Sequence, residues 1–140
     1  DLHGLPQVLW PIHCVQGSFG AGFVRELNRS GIDRIFVKGT DPKIDSYSGF
    51  FDNGHRKATG LGDFLKEQSV TEVFVMGLAT DYCVKFTALD ALQLGFKTKL
   101  IVDGSRGVNL QRGDVDRAIE EMEEKGVVLV KSVDLLAVGS

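Results

Sequence analysis

Apolar and polar positions follow two different periods along this chain, one typical of strands and one typical of helices. Short apolar runs predict strands at residues 32–38, 71–77 and 97–104, and a final one within 127–138. Helical spacing of apolar residues predicts helices at 20–31, 61–69, 81–94 and 112–126. Because strands and helices alternate and the strands are nearly all apolar, the pattern predicts an α/β fold. We expect a parallel sheet covered by helices on both faces.

The segment between the first strand and the second helix, residues 39–60, has no clear period and is rich in Gly, Asp, Ser and aromatic residues. Ordered loops of this length in compact domains are often functional. We therefore expect it to contribute to a site. Asp52, before the Asn-Gly pair of this segment, and Asp103, at a strand end, are predicted to be structural.

Composition narrows the function classes. A chain of 140 residues with 43% hydrophobic residues predicts one domain, 1–140, with an adequate core. The net charge of −3 gives no reason to expect nucleic acid or an anionic membrane as a partner. No apolar run is long enough to span a bilayer, and no signal peptide is visible. Two widely separated cysteines favour a reducing, cytoplasmic compartment.

Two reactive side chains follow predicted strands, where ligands of doubly wound folds bind. Lys38 ends "IFVK" and Cys83 lies just after "VFVMGLATDY", at a predicted helix start. Taken alone, such a lysine is usually a solvated strand end, and such a cysteine is usually part of the core. However, a helix start carries partial positive charge and outward N–H groups, which favour a thiolate and an oxyanion. The pair is suited to acyl transfer by a cysteine nucleophile.

Other cysteine and glycine motifs do not fit. The chain has no Cys-x-x-Cys for thioredoxin-type exchange, and adjacent His13 and Cys14 do not make a four-ligand zinc site. The glycines of "GSFGAG" are not preceded by a strand, so a dinucleotide-binding fingerprint is rejected.

Four stretches, "GLATDYCVKFTALDALQLGFK", "WPIHCVQGSFGAGF", "VKGTDPKIDSYSGFFDNG" and "DGSRGVN", together resemble the nicotinamidases, also called pyrazinamidases, of the isochorismatase-like hydrolase superfamily. The resemblance is collinear over essentially the whole chain. It implies a Rossmann-like three-layer fold and hydrolysis of nicotinamide to nicotinate and ammonia in NAD salvage. Pyrazinamide is an expected second substrate.

The resemblance also assigns catalytic positions. Cys83, within "ATDYCV", matches the nucleophile, and Lys38 matches the triad lysine. A cis peptide bond is expected between Leu78 and Ala79. The backbone N–H groups of Ala79 and Cys83 would then form the oxyanion hole.

A divalent metal and an aromatic ring pocket are implied as well. His13, within "WPIHCV", matches one metal-ligating histidine, and zinc, iron and manganese all stay open as the ion. Trp10, Tyr47 and Tyr82 match positions that wall the ring pocket. Offset stacking on a flat heteroaromatic ring contributes about 0.5–1.5 kcal/mol beyond area burial.

The chain departs from the family at its start. The opening strand with the triad aspartate and the D-x-H metal motif are both missing, so the domain is predicted to be N-terminally incomplete. Asp1 and His3, in "DLH", are interpreted as an accidental match. We expect the working enzyme to include further chain upstream. Association with that segment, or a homo-oligomer, is an expected partner interaction.

Two alternatives stay open besides nicotinamide hydrolysis. One is another small amide or ureido substrate, as in ureidoacrylate or carbamoylsarcosine hydrolases, although His13 with Trp10 and Tyr47 favours nicotinamide. Relatives that hydrolyse isochorismate lack the cysteine. The other alternative is a catalytically incomplete domain that acts in binding or assembly.

Overall fold

The computed structural model describes residues 4–136 and divides the chain into two compact units, Asp1–Ile35 and Phe36–Ser140. The expectation of a single domain over 1–140 stays a prediction. Asp1 and His3 lie outside the described residues.

The described part of the first unit is mostly irregular, with short turns. Its one helical element among the described residues is a 3-10 turn, Phe19–Ala21. The predicted helix 20–31 is therefore wrong, and isolated turns replace it, as in the Leu27 N–H bond to the Val24 carbonyl. A helix of this length gains most of its stability from packing an apolar face. Here Val24 and Leu27 are 68% and 45% exposed, so that face gains little from packing.

The second unit carries the regular structure. It contains helices α1 (Leu61–Glu67), α2 (Lys85–Gln93), α3 (Asp114–Lys125) and α4 (Ser132–Leu136). Its strands are β1 (Glu72–Leu78), β2 (Lys97–Arg106) and β3 (Val128–Val130). These elements agree with the predicted pattern, except that α4 takes the end of the predicted final strand and the predicted strand 32–38 is irregular. Ile35 and Val37 are 54% and 62% exposed, and no described strand pairs with them.

The three strands form a parallel sheet in the order β1-β2-β3, which confirms the predicted fold class. Helix α2 connects β1 to β2, and α3 connects β2 to β3. One core cluster joins α2 and α3 to the sheet through Val84, Ala88, Leu100 and Met122. The opposite side of β1 is exposed at Phe74, Met76 and Leu78, as expected for alternating strand positions.

A second core cluster anchors the loop that precedes α1. Phe50, which is 3% exposed, packs with Ala91 and Phe96, and the rings of Phe50 and Phe96 stack at 6.2 Å. The prediction that Asp52 supports a turn is confirmed, because its Oδ1 accepts the N–H groups of Gly54 and Arg56. This part of the long loop is therefore held against α2, the helix that follows Cys83.

Candidate active site

The segment after β1 turns sharply into a helix. The peptide bond between Leu78 and Ala79 is cis, at the position that the resemblance implies. A π-helical turn, Thr80–Val84, follows, in which the Val84 N–H donates to the Ala79 carbonyl at 3.0 Å. The sequence pattern predicts a helix from residue 81 and does not reveal this wider first turn. The half-buried Cys83 lies within it, directly before α2 begins at Lys85.

Lys38 lies against this cysteine. Its Nζ is 3.5 Å from Cys83 Sγ and donates a second hydrogen bond, of 2.5 Å, to the Ser46 carbonyl. The two residues are 45 positions apart in sequence, and the second unit brings them together. An ammonium group at this distance can donate a hydrogen bond to the sulfur and attracts negative charge that develops there. Ser46 was not predicted, since it contributes a backbone carbonyl, which no residue type reveals.

Asp81 is a further structural residue that sequence analysis missed. Although its side chain is charged, it is only 6% exposed. Its two carboxylate oxygens accept the backbone N–H groups of Val108 and Asn109 at 2.9 and 2.8 Å. These bonds join the turn that carries Cys83 to the "DGSRGVN" loop. A charged residue two positions before the cysteine, with no other charged residue between Glu72 and Lys85, is the signal that could have identified it.

The tyrosines predicted to wall the ring pocket lie together. The rings of Tyr47 and Tyr82 meet edge to face with centroids 5.4 Å apart, and Phe86 lies 5.5 Å from Tyr47. All three line a cleft of about 540 Å³ that Asp81 and Lys85 also line. Burial, with the negative charges of Asp81 and Asp114, raises the pKa of Tyr82 above its usual value.

Lys38 lines a different cavity, of about 250 Å³, together with Ser46 and Thr59. In the described part of the chain, neither Lys38 nor Cys83 lines the tyrosine cleft. The role of Tyr47 and Tyr82 as walls of the substrate pocket thus stays a prediction.

The last two predicted site residues belong to the first unit. Trp10 is half-buried, and His13 is exposed, with its Nδ1 2.6 Å from the Pro11 carbonyl oxygen. If Nδ1 donates this bond, Nε2 is the nitrogen with a lone pair. Metal-ligating histidines usually have such a donor arrangement.

Comparison with known proteins gives the family. A family model described as Isochorismatase domain matches residues 4–134. The chain belongs to the isochorismatase family.

Within the isochorismatase family, proteins with nicotinamidase names are similar to this chain. The nicotinamidase of Escherichia coli (strain K12) is 53% identical over 134 residues, which are 96% of this chain and 63% of that protein. A solved Acinetobacter baumanii nicotinamidase/pyrazinamidase is 46% identical, with a TM-score of 0.88, over 92% of this chain and 62% of that chain. This chain therefore spans 58–63% of the length of the curated relatives that it matches.

A third relative in the isochorismatase family is a pyrazinamidase of Pyrococcus horikoshii solved in complex with zinc. It is 40% identical, with a TM-score of 0.75, over 88% of this chain and 63% of that chain. In the present chain, the described residues contain no cluster of three or more His, Cys, Asp or Glu side chains able to hold a metal ion. The described residues therefore do not form a complete metal site, and the role of His13 as a metal ligand stays a prediction. No helix among residues 4–136 has both the length and the apolar character needed to cross a membrane.

Proposed function

We propose that the protein hydrolyses nicotinamide to nicotinate and ammonia through a cysteine thioester. The observation that carries this proposal is the 3.5 Å contact between Lys38 Nζ and Cys83 Sγ. It is supported by the similarity to the E. coli nicotinamidase, at 53% identity. Pyrazinamide, a close analogue of nicotinamide, is a proposed second substrate.

The proposed reaction has two halves. The Cys83 thiolate attacks the carboxamide carbon, a C–S bond forms, and the oxygen takes up negative charge. When this intermediate collapses, the C–N bond breaks and ammonia leaves with an added proton. Water then attacks the thioester, the C–S bond breaks, and nicotinate and the thiolate are released. The resemblance assigns these proton transfers to a triad aspartate, and Lys38 is proposed to stabilise negative charge on the sulfur through its 3.5 Å contact.

Backbone N–H groups are proposed to stabilise the oxyanion. The resemblance assigns this role to the N–H groups of Ala79 and Cys83, which are contributed by the two ends of one tight segment. The Tyr82 and Val84 N–H groups both donate to the Ala79 carbonyl, at 3.1 and 3.0 Å, and so hold the segment in shape. Loss of one oxyanion donor typically slows acyl transfer by about 10²–10³-fold.

Recognition of the ring is proposed for the aromatic residues and for a metal ion. Tyr47 and Tyr82 already form one edge-to-face corner, on which the ring is proposed to stack. The role of Trp10 in ring recognition stays a prediction from the resemblance. His13 is proposed as one ligand of a divalent metal, and the zinc-bound P. horikoshii pyrazinamidase supports this assignment. A metal of this kind would supply an electrophile for the pyridine nitrogen.

The proposed setting is NAD salvage in a reducing, cytoplasmic compartment. Cys14 and Cys83 are both free thiols, as that compartment requires. A homo-oligomer or an association with further chain stays a prediction.

The test is a substrate panel assayed with selective modification of Cys83. Ammonia release is measured from nicotinamide, pyrazinamide and a ureido amide, before and after alkylation with iodoacetamide in a Cys14→Ser background. We expect nicotinamide to be hydrolysed and the activity to fall in proportion to the alkylated fraction of Cys83. Preference for the ureido amide would favour the alternative substrate class. Activity that survives complete alkylation would refute the cysteine mechanism.

A further inference from the structure

The hydroxyl group of Thr87 connects the segment that carries Cys83 to the loop that contacts Lys38. Thr87 is on α2, four residues after Cys83, and its Oγ1 donates to the Cys83 carbonyl at 2.6 Å. Threonines inside helices often make this bond to the carbonyl of residue i−4. Here the carbonyl belongs to the candidate nucleophile, so the bond restrains the peptide next to its thiol.

The same oxygen also receives a hydrogen bond from outside the helix. The backbone N–H of Gly49 donates to Thr87 Oγ1 at 2.9 Å. The two residues pack closely, because a Cβ on Gly49 would lie 3.5 Å from the Thr87 methyl carbon. One hydroxyl group therefore joins the nucleophile's helix to the long loop.

Gly49 belongs to the short segment that holds Lys38. Ser46, three residues earlier, accepts the bond from Lys38 Nζ through its carbonyl. Several contacts make the segment rigid. Ser46 Oγ donates to the Phe51 carbonyl at 3.3 Å, Thr59 Oγ1 donates to the Gly49 carbonyl at 2.7 Å, and the Phe50 side chain is buried.

These contacts form a closed ring. It runs from Lys38 Nζ to the Ser46 carbonyl, along the backbone to Gly49, through Thr87 Oγ1 to the Cys83 carbonyl, and from Cys83 Sγ back to Lys38. The Thr87 hydroxyl is the one link that both accepts and donates. Removing it would break the ring on the side opposite the ammonium–sulfur contact.

We propose that Thr87 is a positioning residue that sets the distance between the Lys38 ammonium group and the Cys83 thiolate. Its hydroxyl acts through the Cys83 carbonyl and the Gly49 N–H and does not touch the substrate. The proposal rests on the proposed amidohydrolase function. The effect of the Thr87 hydroxyl group on Cys83 can nevertheless be measured without any substrate.

The experiment compares Thr87→Val, which keeps the shape and removes the hydroxyl, with Thr87→Ser, which keeps the hydroxyl. Thr98→Val is the matched control, because Thr98 is 2% exposed and its Oγ1 also donates to a backbone carbonyl, that of Phe96, at 3.1 Å. Each variant is assayed for kcat and KM with nicotinamide, for unfolding in urea, and for the pH profile of Cys83 alkylation in a Cys14→Ser background.

We expect Thr87→Val to lower kcat by about 10–100-fold with little change in KM, since a misplacement of about 1 Å can have an effect of this size. We expect its alkylation profile to shift to higher pH. Thr87→Ser should restore both properties to within about threefold of the unaltered protein. Thr98→Val should lose stability without either change.

Three results would overturn the proposal. Unchanged kcat and alkylation in Thr87→Val would show that the hydroxyl is not needed. If Thr87→Ser lowers kcat as much as Thr87→Val does, the effect comes from packing of the side chain and not from the hydroxyl group. If Thr98→Val lowers kcat and shifts the alkylation profile as much as Thr87→Val does, the effect comes from lost stability. If the unaltered protein does not hydrolyse nicotinamide but its alkylation profile depends on Thr87 as expected, the proposed function fails and the positioning role stands.

Discussion

Asp81 and Asn109 are joined across 28 residues of chain, because the buried carboxylate of Asp81 accepts the Asn109 backbone N–H at 2.8 Å. The other carboxylate oxygen accepts the neighbouring Val108 N–H at 2.9 Å. Asn109 in turn accepts the N–H of Val115, near the start of α3, through its side chain. The turn that carries Cys83 is thus connected to α3 by a short chain of hydrogen bonds.

Asp81→Asn is expected to lower the free energy of unfolding by about 1–3 kcal/mol, because one of the two backbone N–H groups bound to Asp81 loses its acceptor and the buried side chain gains an unpaired NH₂ group. Urea unfolding measures this change. Asp116→Asn, on the exposed side of α3, removes the same charge and is the control. A stability loss in Asp81→Asn no greater than in the control would contradict the bridging role of Asp81.

Gly107→Ala tests how closely the "DGSRGVN" loop approaches α3. A Cβ at Gly107 would lie 2.1 Å from Val115 Cγ2 and 3.0 Å from Asp81 Oδ1, distances at which the neighbours must move. We expect Gly107→Ala to lower the free energy of unfolding by about 1–3 kcal/mol, as at other overpacked sites. The double variant Gly107→Ala/Val115→Ala should regain part of this stability, because the shorter alanine side chain at position 115 leaves room for the new Cβ.

The control for the loop substitution is Gly31→Ala, since nothing lies within 4 Å of a Cβ built at Gly31. Both single variants are unfolded in urea under the same conditions. A Gly107→Ala protein as stable as the Gly31→Ala protein would show that the loop does not pack this closely.

Helices α2 and α3 could be predicted from the sequence because each packs an apolar stripe onto the sheet, and glycines follow their ends. The same pattern predicts a helix at residues 20–31, but the structure has no α-helix there. Their spacing is equally helical, but Val24 and Leu27 remain exposed, and spacing does not report whether a partner surface is present. Secondary structure that depends on tertiary packing is not encoded locally.

The candidate site was predictable to the extent that it consists of reactive side chains in recognisable motifs. Lys38 and Cys83 stand out in sequence, and the structure brings them into contact. Thr87 does not stand out, because its role depends on a backbone group far away in sequence, and Ser46 acts through its own carbonyl. Asp81 is marked only by its charge, while its partners lie 27 and 28 residues away. The lone carbonyl of Ser46 could be assigned only once the long loop had a definite path.

Lys38→Met is expected to make Cys83 less reactive toward iodoacetamide, since it removes the ammonium group 3.5 Å from the sulfur. At about pH 6 we expect alkylation to slow by about tenfold. Lys43→Met, in the same loop and exposed, is the control. Equal alkylation rates in both variants would mean that Lys38 does not stabilise the thiolate. The reaction is followed by mass spectrometry of the Cys83 peptide, so that Cys14 does not interfere.

Acid is expected to destabilise the start of α3 through Asp114. Its carboxylate accepts the Gln111 N–H at 2.7 Å and a hydrogen bond from the Arg117 guanidinium at 2.6 Å, and these contacts lower the pKa of Asp114. A carboxyl group with a lowered pKa stabilises the fold above its unfolded pKa of about 3.9 and loses this contribution as the pH falls through the folded value.

The unfolding midpoint of Asp114→Asn in urea should therefore be lower than that of the unaltered protein at neutral pH. The difference should shrink as the pH falls below about 4. Asp116→Asn, in the same first turn of α3, controls for the general effect of a negative charge near a helix N-terminus. A difference that persists unchanged at low pH would show that the ionised carboxylate is not responsible.

Under the proposed function, Cys83 is the nucleophile that attacks nicotinamide. The decisive experiment measures ammonia release from nicotinamide by the purified protein, by Cys83→Ala and by Cys14→Ser. We expect release by the unaltered protein and by Cys14→Ser, and a loss of several orders of magnitude in Cys83→Ala. Undiminished release by a folded Cys83→Ala protein would contradict this role of Cys83.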